Sequence, residues 1–136
     1  MDPRPIDADP DSATAIVPSV PGSVPATRAF LVGMLRGWSV RPEAVDDAAL
    51  LATELITNAV THGEGAVTLA VEVDGDDLRV AVTDHGVGRP SPKEPTVDGE
   101  HGRGLWLVQA MSRDWGTTRH RLPDGTTVWF ELSVVG

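Results

Sequence analysis

Hydrophobic positions recur along the chain in two rhythms, and each change of rhythm marks a new element. Val24, Phe30, Leu31, Met34, Leu35 and Trp38 fall near helical spacing on one broad face. Ser23 suits an N-cap and Pro25 a first turn, so a first helix starts at Ser23 and stops at Gly37 and the Ser39 to Pro42 stretch. Val45, Ala48, Ala52, Leu55 and Ala59 then step by three and four, which predicts a second helix from Pro42 to His62 with Gly63 as terminator. The period becomes two over Val67, Leu69, Val71 and Val73, and again over Leu78, Val80 and Val82. With Asp74-Gly75-Asp76 between them these runs predict an antiparallel hairpin. Residues 85 to 101 keep neither rhythm and are rich in Gly, Pro and charge, the mark of a long functional loop. A third helix over 104 to 113 and a closing hairpin, 115 to 121 and 126 to 134 around Pro123-Asp124-Gly125, complete the pattern.

Composition changes this picture mainly at the N-terminus. Pro3, Pro5, Pro10, Pro18 and Pro21 alternate with Asp2, Asp7, Asp9 and Asp11, a mixture that opposes helix and buries little apolar area. Residues 1–22 are therefore predicted to be a disordered tail and 23–136 the folded domain, with Thr14 to Val17 able to add a short edge strand that Pro18 stops. A chain of 136 residues fits one domain. Its formal net charge of −9 argues against direct binding of nucleic acid and suits a basic protein partner. The lack of Cys excludes disulfides, a thiolate nucleophile and a Cys-based zinc site. Met1 to Ile6 has neither the basic start nor the apolar stretch of a leader, and no window reaches the roughly 18 apolar residues of a membrane span. A cytoplasmic location without membrane contact is the expectation.

Three clusters carry candidate chemistry. Glu54, Asn58 and His62 are spaced by four, so they drift only about 40° around the second helix at each step and face roughly the same way. A solvated helix face tolerates such a row, and His62 also suits a helix C-terminus, where imidazole meets the last carbonyls and the dipole. Asp84-His85-Gly86-Val87-Gly88 follows a strand directly. It reads as an Asp-Gly turn, or as a carboxylate that accepts a hydrogen bond from an exocyclic amino group while glycines let a flat ring approach the backbone. His101-Gly102-Arg103-Gly104-Leu105 precedes the apolar run Leu105, Leu107, Val108 and Met111. A helix cap after a flexible loop explains it, as does an anion site made of free N–H groups with Arg103 beside them. No dinucleotide fingerprint or P-loop motif is present.

In this order, and separated by these elements, the clusters resemble the ATP-binding domain of the GHKL superfamily, shared by gyrase, heat-shock chaperones, histidine kinases and mismatch-repair ATPases. Glu54-Leu-Ile-Thr-Asn58-Ala-Val-Thr-His62 resembles its N box, Asp84-His-Gly86-Val-Gly88 its first glycine box, Gly102-Arg-Gly104-Leu105 its second, and Gly125-Thr-Thr127 its late threonine element. The likeness runs from about residue 23 to the end. It implies a Bergerat-type α/β fold: an α+β two-layer sandwich whose mixed, mostly antiparallel sheet carries about three helices on one face. It further implies ATP and Mg²⁺ as cofactors, with Asn58 offering its oxygen to the metal and Asp84, with Gly86 and Gly88, recognising adenine. Thr127 supports Asp84, and Gly102, Arg103, Gly104 and Leu105 hold phosphate. Residues 89 to 101 serve as a lid with Arg89 and Lys93 as its cations.

A short stand-alone domain most resembles the bacterial anti-sigma factor serine kinases of partner-switching systems. That resemblance implies a serine/threonine-protein kinase in which Glu54 is catalytic, an anti-anti-sigma factor is the acceptor and a sigma factor is sequestered. A homodimer through the sheet and first helix belongs to the same expectation. The alternative is a non-catalytic binding module whose partner contacts nucleotide regulates.

Overall fold

The computed structural model describes residues 11–62, 65–85, 100–121 and 124–135, with side chains for all of these except residues 62 and 100–104. The elements run β1 (Asp11–Pro18), α1 (Ser23–Gly37), α2 (Pro42–His62), β2 (Ala66–Asp74), β3 (Asp77–Asp84), α3 (Glu100–Met111), β4 (Asp114–Arg121) and β5 (Asp124–Ser133). Five strands form one sheet in the order β1-β2-β3-β5-β4. All four pairings are antiparallel, so the expected mixture with parallel pairing is not present among the described residues. No helix of the described residues is long and apolar enough to cross a membrane.

Strand alternation separates the two faces of the sheet. Val67, Leu69 and Val71 of β2, Leu78, Val80 and Val82 of β3, and Phe130 and Leu132 of β5 are buried and share one face. Against them pack Leu31 and Leu35 of α1, the predicted Val45, Ala48, Ala52, Leu55 and Ala59 of α2, and Val108 of α3. Small residues along α2 let the central helix lie close to the sheet. The other face carries polar and intermediate residues, as an antiparallel sheet open to water allows.

Three local predictions change. The segment from Asp11 to Pro18 is a full edge strand of eight residues paired with β2, so residues 11–22 belong to the folded domain and the tail expectation fails for them. Residues 1–10 lie outside the described residues. Ser23 does not cap α1: Gly22 holds that place without a side-chain cap. Instead the N–H groups of Ser23 and Val24 donate to the carbonyls of Val20 and Pro21, and buried Ser23 accepts a 2.7 Å bond from the Thr27 hydroxyl. The C-terminus of α1 closes through bonds from Ser39 N–H to the Arg36 carbonyl and from Val40 N–H to that of Leu35. Ser39 stands at φ 62, the left-handed position where helices commonly place glycine. Lastly, Asp124 and Gly125 are strand residues rather than turn residues, since Arg121 already pairs with Asp124.

Candidate functional site

Chain connections bring the predicted clusters to one end of the sandwich. Asp84 ends β3 directly across from Val67, at the start of β2, and β2 follows α2 after a short link. Asn58 sits one turn before that end of α2, and Glu54 one turn further back. Both are half-buried. The Glu54 carboxylate makes no ion pair or hydrogen bond among the described residues, whereas Asn58 and Asp84 each have a partner. Met111, the last residue of α3, lies three positions before Asp114, at the far end of the sheet from Asp84. The first turn of α3 is thus its end nearer the Asp84 side.

That first turn differs from the sequence reading. The helix begins at Glu100 instead of residue 104, so Gly102, Arg103, Gly104 and Leu105 are inside its opening turns. The first four N–H groups of a helix have no internal acceptor, and they concentrate positive potential. This keeps an anion site possible at Glu100 to Arg103 while moving it earlier. The side chains of His62 and residues 101–104 lie outside the described residues, as do Gly86, Gly88, Arg89 and Lys93.

The threonine expectation is corrected by register. Asp84 stands across from Thr126, and Thr83 across from Thr127. Directly paired residues share a face, so the hydroxyl beside Asp84 belongs to Thr126. Thr127 lies on the opposite face, where its Oγ1 is 2.6 Å from that of Thr83 and 2.8 Å from His120 Nε2. The signal was present in β5: Thr126, Val128, Phe130 and Leu132 form the apolar alternation, and Thr127, Trp129 and Glu131 the polar one.

Sequence reasoning also missed the role of Gly125. A Cβ at this position would stand 2.2 Å from the carbonyl oxygen of Asp84, so only glycine lets β5 approach the end of β3. The close approach holds the Asp84 backbone directly against the strand that carries Thr126. On the open face a second glycine, Gly116, lies under the indole of Trp129, where a Cβ would be 2.8 Å from the ring. Arg79 stacks over the same ring at 4.0 Å and pairs with Glu131 at 2.9 Å. Arg113 donates a hydrogen bond to Asp77 and lies near Glu131; that bond, with both negative charges, raises the Arg113 pKa further.

Residues 17–132 match the histidine kinase-like ATPase domain. The chain belongs to that family. A serine-protein kinase RsbW of Listeria innocua is 28% identical over 121 residues, 76% of this chain and 77% of that protein. Another of the same name, from Oceanobacillus iheyensis, is 27% identical over 115 residues, 72% of this chain and 73% of that protein. Among solved structures, the RsbU and RsbW domains of a Mycobacterium tuberculosis protein give a TM-score of 0.70 at 19% identity, covering 92% of this chain and 33% of that one. The histidine kinase AdeS of Acinetobacter baumannii gives 0.53 at 10% identity, covering 91% and 68%. These structural likenesses carry the fold, a sheet with one helix-covered face. The ATPase domain supports an ATP-binding role, and within this family the Asp84 end of the sheet is the candidate nucleotide site.

Proposed function

We propose that this histidine kinase-like ATPase domain is an ATP-dependent serine/threonine-protein kinase that phosphorylates an anti-anti-sigma factor and sequesters a sigma factor. The observation that carries the reading is the half-buried pair Asp84 and Thr126, directly opposed on the helix-covered face at the end of the sheet where α2 brings Asn58. A carboxylate accepts from an exocyclic amino group and repels the carbonyl that guanine has in its place. Asp84 thereby selects adenine, and the Thr126 hydroxyl supplies a second polar contact beside it. The donor set suits ATP with Mg²⁺. Asn58 offers one neutral oxygen, and Mg²⁺ commonly takes its other ligands from water and phosphates.

Phosphoryl transfer asks the protein mostly for positioning and charge stabilisation. Free N–H groups in the first turn of α3, with Arg103, hold the phosphates, where Gly102 and Gly104 give the backbone room to approach them, while Gly86 and Gly88 do the same for the adenine ring beside Asp84. Glu54, without an ion-pair partner among the described residues, orients the acceptor serine and takes the proton from its hydroxyl. A metal ion held at Asn58 would supply charge neutralisation. The RsbW names of the relatives support serine as acceptor. The reading assigns the protein to the cytoplasm and allows a homodimer.

Calorimetric titration with ATP and GTP, with and without Mg²⁺, tests the site: ATP binds in a metal-dependent manner, GTP does not, and Asp84→Asn loses ATP. Incubation with γ-labelled ATP and a purified anti-anti-sigma protein of the same organism tests transfer. Label appears on a serine or threonine with the unaltered chain and drops at least about 100-fold with Glu54→Gln, while ATP affinity is retained. ATP binding without transfer to any such protein sinks the kinase reading and leaves a nucleotide-regulated binding module.

A further inference from the structure

Five residues form one row across the sheet at its Asp84 end: Val17, Val67, Asp84, Thr126 and Arg119, each directly opposite the next. Direct opposition puts all five on the helix-covered face. Their cover changes along the row. Val67 is buried, Asp84 and Thr126 are half-buried, and Arg119 is exposed. On β4 the same face begins with Trp115, which packs against the core, and continues with exposed Thr117 and Arg119. Among the described residues, the helical layer therefore covers the start of β4 and leaves its second half open, beside Thr126. Arg79 and Arg113 on the other face are tied to carboxylates, whereas Arg119 makes no ion pair among the described residues.

We infer that Arg119 is a base-facing residue of the nucleotide site, its guanidinium lying against the flat ring held at Asp84. The inference rests on the ATP-binding reading and adds a residue that no sequence motif singled out. Two strand spacings, roughly 10 Å, separate the backbones of Asp84 and Arg119, with Thr126 midway. A ring bound at the Asp84 carboxylate and extending over Thr126 comes within the reach of a long side chain standing on β4. A guanidinium suits that position because it is planar, weakly hydrated and stacks on aromatic faces. It also brings a positive charge to the rim of a site that must accept an anion on a chain of net charge −9. Asp84 then reads the edge of the base, and Arg119 closes over its face.

Calorimetry with adenosine and with Mg-ATP on the unaltered chain, Arg119→Ala, Arg119→Lys and Asp84→Asn tests this. Because Arg119 is exposed, Arg119→Ala keeps its unfolding temperature and serves as a folded variant. Expected is an equal weakening of adenosine and ATP by Arg119→Ala, about 3- to 30-fold, as loss of a stacked cation gives. Arg119→Lys restores less than half of the loss on a logarithmic scale, since its ammonium has no plane to stack. Weakening of ATP with adenosine untouched would make Arg119 a phosphate ligand and overturn the assignment. Loss of binding in Asp84→Asn with none in Arg119→Ala also overturns it, leaving the ATP site in place. If the unaltered chain binds neither ligand, both the inference and the reading beneath it fall.

Discussion

The two faces of the sheet are made from alternate residues of the same strands, yet they are held by different physics. Under the helices, Val67, Leu69, Val80, Val82 and Phe130 are packed out of water with their neighbours. The opposite face has no such layer among the described residues. It is organised by pairwise contacts, Thr127 with Thr83 and with His120, and Arg79 between Trp129 and Glu131. Burial tolerates little change and gives position, whereas exposed pairs are individually weak and replaceable. The candidate nucleotide residues sit on the first face, at the end where its cover thins.

The largest separation of the faces is expected from truncating one apolar residue on each. Leu69→Ala should lower unfolding stability by about 3 kcal/mol in urea denaturation, since it empties packed volume. Ile16→Ala, at 70% exposure, should change it by less than about 0.5 kcal/mol. Gly125→Ala comes next: the added methyl forces β5 from β3, costing about 2 kcal/mol and weakening ATP with it. Comparable stability and ATP affinity in that variant would mean that the close approach to Asp84 does not hold the site.

Adjacent threonines give a sharper contrast. Thr126→Val should weaken ATP about tenfold by calorimetry, the equivalent of one hydrogen bond, with little loss of stability. Thr127→Val should do the reverse, costing about 1 kcal/mol of stability while ATP affinity stays within about twofold. The opposite pattern would return the supporting role to Thr127. Smallest is Arg79→Ala, below about 1 kcal/mol in urea denaturation, with the difference shrinking as salt rises.

Much of this architecture was legible from periodicity. The α2 stripe and the β2–β3 hairpin follow from spacing alone because burial enforced it at nearly every position. The site was legible as an ordered set of motifs, but its pairing was not. Thr126 and Thr127 are the same residue type, and only counting back by twos from Phe130 and Leu132 tells which one shares a face with Asp84. Gly125 and Arg119 depend on which strands become neighbours, and β3 meets β5 only after α3 and β4 have intervened in the chain. Glycine lowers helix propensity by about 1 kcal/mol per residue, so Gly102 and Gly104 argued for a later start of α3 than the observed Glu100. Pro18 stops β1 as expected, since an edge strand can end on a residue without an N–H.

That edge strand bears on how the protein behaves at high concentration. The family match begins at residue 17, so a boundary drawn from family likeness would discard nearly all of β1. Shortened this way, the chain would retain every residue assigned to ATP and expose the free hydrogen-bonding groups of β2, flanked by Val67, Leu69 and Val71. Such an edge is a template on which other copies assemble, strand to strand. The native outer strand is a poorer template, with Asp11 at one end and Pro18 at the other. Asp11 to Pro18 thus doubles as a guard against aggregation, and its removal would show itself as precipitate well before it showed itself in nucleotide affinity.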